Sequence, residues 1–100
     1  MSENSSQVPL IEPIMVVIPA GTTRTISFSN EFFGIATSLL ITNLDAVNIA
    51  TYQIGGGAMP TLNLATNAFR TIDNTKIKLI TITAGAAGAV QLEAQVQRWF

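Results

Sequence analysis

The side chains able to do acid–base, nucleophilic or metal chemistry are few in this 100-residue chain and lie far apart. The acids are Glu3, Glu12, Glu31, Asp45, Asp73 and Glu93. No two are close in sequence, and none has the spacing of a calcium loop. Asp45 and Asp73 stand beside Asn and Thr, where turn-forming hydrogen bonds to the backbone account for them. The chain has no histidine, which removes the commonest general base and metal ligand. It has no cysteine, which removes disulfides, thiolate chemistry and the usual zinc ligands. A Ser or Thr nucleophile would need a neighbouring base, and the only lysines, Lys76 and Lys78, sit at alternate positions of a strand pattern. Gly55-Gly56-Gly57-Ala58-Met59 runs into Pro60 and lacks the Lys-Ser/Thr of a phosphate loop. The expectation is a chain that is not an enzyme and has no catalytic residue, cofactor or metal site.

Composition turns attention to the surface. Charged residues make up 11 % of the chain and hydrophobic ones 48 %, whereas ordinary soluble domains carry about a quarter charged residues. A domain of this size buries only roughly 60–70 % of its unfolded area, so apolar groups must reach the outside. Apolar surface that persists outside marks an interface. The net charge is −1, and Arg24, Arg70, Lys76, Lys78 and Arg98 are scattered. Nothing forms the basic stripe of a nucleic-acid binder, and an anionic membrane is not an expected partner. The start, MSENSSQVP, lacks the basic and apolar regions of a signal peptide. No apolar run approaches the ~20 residues of a membrane helix, so no membrane span is expected.

The elements that must carry any surface read as short strands between turns. Residues 1–13 read as a flexible N-terminal arm, polar to Gln7 and then kept extended by Pro9 and Pro13. The arm could lie across a neighbouring subunit or close the end of its own sandwich. Residues 14–100 read as one β-sandwich domain. Strand patterns cover 14–18, 24–28, 37–42, 48–54, 61–65, 69–72, 76–83 and 89–97. The last is the most regular, with Val90, Leu92, Ala94 and Val96 on one face and Gln91, Glu93, Gln95 and Gln97 on the other. Within 76–83 the parity changes, since Ile77 and Leu79 share one face while Ile80 and Ile82 share the other. That predicts a bulge or a change of sheet near Leu79-Ile80. Ser29 is a candidate cap for one helical turn holding Phe32 and Phe33 and ended by Gly34. Turn signals every 8–12 residues point to an all-β fold, an antiparallel β-sandwich or jelly-roll-like small barrel of about 7–8 strands.

A faint repeat lays residues 18–26 over 64–72, matching Arg24-Thr25-Ile26 to Arg70-Thr71-Ile72 and Gly21 to Asn67. Both residues of that last pair tolerate a left-handed backbone. Candidate interface residues are Phe32, Phe33, Met59, Arg98, Trp99 and Phe100. Adjacent rings in an extended chain cannot both face a core, Met59 is an adaptable contact in a Gly-rich loop, and Arg and aromatic anchors are what interfaces use. The Arg98-Trp99-Phe100 tail reads either as a subunit contact or as self-packing.

Three stretches carry a resemblance: V-V-I-P-A-G-T-T-R-T-I-S-F (16–28), L-L-I-T-N-L-D (39–45) and I-K-L-I-T-I-T-A-G-A-A-G (77–88). Together they resemble the small all-β structural proteins of phages and related viruses. The resemblance covers about a third of the chain and implies a virion role such as capsid decoration, vertex, spike base or tail part. On that basis the chain is expected to be a homo-oligomer, a trimer or pentamer, with other virion proteins as partners. The alternative is a carbohydrate- or receptor-binding sandwich, with Gln91, Gln95 and Gln97 beside Trp99 as its platform.

Overall fold

Alternating burial along successive strands builds two four-stranded antiparallel sheets. A computed structural model describes residues 9–56 and 59–99, the backbone alone at Pro9 and Trp99. In chain order the elements are β1 (Pro9–Ile18), β2 (Thr23–Ser27), α1 (Phe28–Phe32), β3 (Ile35–Asn43), β4 (Ala50–Ile54), β5 (Leu62–Leu64), β6 (Phe69–Ile72), β7 (Leu79–Thr83) and β8 (Val90–Trp99). The sheet orders are β1-β8-β3-β6 and β2-β7-β4-β5. This is the jelly roll, two Greek keys folded into a sandwich, as the strand spacing predicts. Only β4–β5 joins neighbours within one sheet.

The core is filled from both inner faces. Leu92, Ala94 and Val96 of the central strand β8 meet Val16 and Ile18 of β1 and Leu39 and Ile41 of β3; Ile26, Ile80, Ile82 and Tyr52 close it from the other sheet. Phe28 and Tyr52, the two rings placed inside by periodicity, are buried.

The connectivity has a symmetry that places the two stretches of the faint repeat at equivalent positions, as any jelly roll would. Advancing every strand by four places converts the order β1-β8-β3-β6 into β5-β4-β7-β2, which is the other sheet read backwards. Residues 18–26 and 64–72 are then equivalent strand–turn–strand units, and Gly21 and Asn67 both have left-handed backbones, with φ of 72° and 54°.

Three boundaries differ from the sequence reading. The arm boundary drawn at Pro13 falls inside β1, because Pro9 to Pro13 pair with Trp99 to Gln95. Residues 1–8, the rest of that arm, lie outside the described residues. The helical turn starts at Phe28 and not at Ser29. Ser27 is its cap, accepting from the Asn30 N–H at 3.4 Å, while Glu31 Oε2 accepts from the Ser27 N–H at 3.0 Å. This reciprocal arrangement satisfies the free donors of the first turn, and the buried Phe28 ring anchors it. The strand predicted over 76–83 is divided: Ile77 bridges to Ala36 of β3, and Leu79 onward pairs in the opposite sheet. The parity change marks this crossing.

Leu92 lies on the strand flanked by both β1 and β3 and is fully buried. Leu92→Ala is expected to cost about 2–5 kcal/mol, read as a lower urea midpoint at an unchanged denaturant slope.

Candidate assembly surfaces

Ionisable groups are almost missing from the broad outer faces of the two sheets. On the β2-β7-β4-β5 face the outward residues are Thr23, Thr25 and Ser27, Leu79, Thr81 and Thr83, Thr51 and Gln53, and Asn63. Cross-strand hydroxyls bond each other there, Thr23 to Thr83 at 3.0 Å and Thr25 to Thr81 at 2.9 Å. On the opposite face β8 sends out Gln91, Glu93, Gln95 and Gln97, flanked by Ile11, Met15 and Val17 of β1 and by Leu40 and Phe69. Glu93 is the single ionisable side chain among the described outward strand positions. Ile11, Met15, Val17 and Phe69 are all exposed, so β1, an edge strand, is apolar on both faces. Prolines 9 and 13 each remove a backbone donor from it, a usual means of discouraging edge pairing.

Charge is instead confined to edges and ends. Arg24 pairs with Glu31 at 2.5 Å, joining β2 to α1. Arg98 donates from Nε to the Phe32 carbonyl at 2.6 Å and pairs through its guanidinium with Glu12. Thus Arg98 ties α1 and β1 to the end of β8 within its own chain.

The candidate residues read from the sequence that are described, Phe32, Phe33, Met59 and Arg98, lie at one end of the sandwich. Phe32 is half-buried, its ring 6.1 Å from that of Phe28. Phe33 is 76 % exposed. It occupies the left-handed region at φ 60°, ψ 37° as the C-cap of α1, and its N–H bonds the Phe28 carbonyl. A non-glycine residue there costs on the order of 1–2 kcal/mol, so the ring is held outward against a backbone preference. Met59 is exposed on the β4–β5 connection, and its carbonyl accepts from Gln53 Nε2 at 2.6 Å. The Trp99 backbone pairs with Pro9; its side chain, and all of Phe100, lie outside the described residues. A cavity of about 450 Å³ opens here between Ser29, Phe33, Gly34, Ile35 and Gln97. Of the proposed glycan platform, Gln91 is bonded to Met15 Sδ and to Glu93.

The opposite end was not singled out by sequence, and it is inverted. In the β3–β4 loop Asn43 and Asp45 are fully buried, while Leu44, Val47 and Ile49 are 52 %, 75 % and 53 % exposed. The polar residues are inside because they bond the loops together. Asn43 Nδ2 faces the carbonyls of Asn48, Leu64 and Ala65 at 3.1–3.2 Å, and its Oδ1 accepts the Asp45 N–H. Asp45 Oδ1 accepts from the N–H groups of Val47 and Asn48; Oδ2 accepts from Asn48 Nδ2 and the Ala87 N–H. Gly88 packs so closely that a Cβ would lie 2.5 Å from Asp45 Cα. The Asn48 N–H lowers the Asp45 carboxyl most; burial opposes it, and the Val47, Asn48 side-chain and Ala87 donors add to the lowering, leaving it at about 2 against 3.8.

Among the described residues no group of three or more His, Cys, Asp or Glu side chains could hold a metal ion, and no helix is long and apolar enough to cross a membrane.

Three outcomes test this geometry. Asn43→Ala is expected to cost about 2–4 kcal/mol by leaving several buried carbonyls unpaired. Asp45 has a folded pKa below its unfolded value of ~3.9, so its contribution is complete above that value and is lost as pH falls from about 4 to about 2. Denaturant midpoints should drop over that window in the native chain and less steeply in Asp45→Asn. Phe33→Gly should leave the fold as stable or more stable by about 1 kcal/mol.

No family model matches the chain, and no curated protein matches it. It is similar in fold to a solved Bacillus protein described under "Bacillus endospore appendages form a novel family of disulfide-linked pili". The identity is 16 %, the TM-score 0.64, and the match covers 100 % of this chain and 96 % of that one. The expectation of a phage capsid component with virion partners is corrected by this finding, since the matching architecture comes from a bacterial spore appendage. The Thr-rich strands, Pro-Ala-Gly turn and Asn-Leu-Asp segment behind that expectation are parts of the jelly roll itself and do not single out a particle.

Proposed function

We propose that this chain is a non-enzymatic structural subunit whose copies join into an appendage-like polymer. The observation that carries the reading is the near absence of charge from both outer sheet faces, together with eleven exposed large hydrophobic residues among those described. Solvated antiparallel sheets normally place polar and charged residues outward. Here the outward positions are hydroxyls, amides and aliphatic groups, which lose little on meeting another protein surface. The fold it shares with a pilus protein supports the same reading. That protein is described as disulfide-linked, whereas this sequence has no cysteine. Contacts between copies of this chain would therefore be made without disulfides.

Sedimentation velocity at micromolar concentration, with negative-stain microscopy, tests the proposal. The expected result is a mass above the monomer that grows with concentration, is unchanged by reductant and persists in 1 M salt, where the screening length is only ~3 Å. The melting temperature should rise with protein concentration, because association stabilises the folded state by mass action. A monomer at tens of micromolar, with a concentration-independent melting temperature, would overturn the reading.

A further inference from the structure

We infer that the β3–β4 loop is an assembly knob that docks into the opposite end of a second copy, giving head-to-tail growth. This deepens the proposed polymer-forming role and rests on it. Loops ordinarily turn polar residues outward; here Asn43 and Asp45 point in while Leu44, Val47 and Ile49 point out. The inversion is enforced. Four hydrogen bonds converge on the Asp45 carboxylate, and two of them come from the backbone of Val47 and Asn48. The tip therefore cannot fold its aliphatic side chains back without breaking buried bonds. A rigid, pre-ordered apolar projection loses little conformational freedom on docking.

The receiving surface lies on the same chain at the far end. The cavity of about 450 Å³ bounded by Ser29, Phe33, Gly34, Ile35 and Gln97 has no ionisable lining residue. Gly34 packs directly on β8: a Cβ there would collide with the Gln97 carbonyl and Val96. The Phe33 ring is kept on the rim by its left-handed backbone. The knob matches in charge as well, because its one carboxylate is buried and fully bonded. Knob and cavity occupy opposite ends, so their contact is heterologous, the kind that extends a filament when the rotation between copies does not close.

The test uses two exposed-site variants of the full chain, Val47→Asp/Ile49→Asp on the knob and Phe33→Asp at the cavity, each first shown to keep the native far-ultraviolet spectrum and melting temperature. Each variant alone should sediment as a monomer where the native chain polymerises. A 1:1 mixture should form one species of twice the monomer mass and nothing larger, because one intact knob meets one intact cavity. If the native chain polymerises and either variant does so to the same extent, the knob-and-cavity contact is wrong while the polymer reading stands. If the mixture stays monomeric, the pairing of these two surfaces is wrong. If the native chain is itself monomeric, the polymer reading fails and the knob with it.

Discussion

The β1–β2, β3–β4, β5–β6 and β7–β8 connections meet at one end of the sandwich, and the paired side chains of Asn43 and Asp45 hold them there. Asn43 reaches the β5–β6 connection through Leu64 and Ala65, and Asp45 reaches β7–β8 through Ala87. The β1–β2 turn joins indirectly, with the Gly21 N–H on the Gly85 carbonyl at 2.8 Å. Every buried polar side-chain atom among the described residues has a partner. Burying a carboxylate is costly unless such donors replace water, so the arrangement is stable only when all the loops are in place. It couples the two sheets where no strand hydrogen bond can.

That coupling decides where the apolar surface goes. The interior is already filled by the two inner faces, and the loop end is filled by amides and a carboxylate. Leu44, Val47 and Ile49 are displaced to solvent as a result. At the other end the short α1 helix does the same to Phe33, whose backbone closes the helix while its ring has no place inside. The ion pairs Arg24–Glu31 and Arg98–Glu12 take up four of the few charges within the protomer. They leave Glu93 as the one ionisable group on the described outer faces and the Leu44–Ile49 tip without an exposed charge, while Asp73, Lys76 and Lys78 remain exposed at the α1 end.

Periodicity made the sheets readable. Val90 to Val96 alternates without fault, and Ile26, Ile80 and Ile82 each fall on the face the alternation assigns, while Phe28 is buried as the first residue of α1 and not as a strand residue. Even the crossing between Ile77 and Leu79 was visible as a change of parity. What the sequence hid was long-range. Asn43 and Asp45 look like ordinary turn formers, and their burial follows only once residues 64–65 and 87 arrive from distant parts of the chain. A usable signal was present in the spacing of Gly85 and Gly88, which leave room for Asp45. The surface candidates were half legible. Adjacent rings implied that one of Phe32 and Phe33 must face out, and it is Phe33. Arg98 read either as an anchor for a partner or as self-packing; its Nε and one terminal nitrogen bond Phe32 and Glu12, groups remote in sequence.

The pairing of Pro9 with Trp99 sets both ends of the described chain side by side, next to the Phe33 rim. Cargo joined directly to either strand end would crowd that rim. The turn around Ala20 and Gly21 lies at the far pole, in the same cluster of loops as Leu44, Val47 and Ile49, so cargo attached there would crowd that end instead.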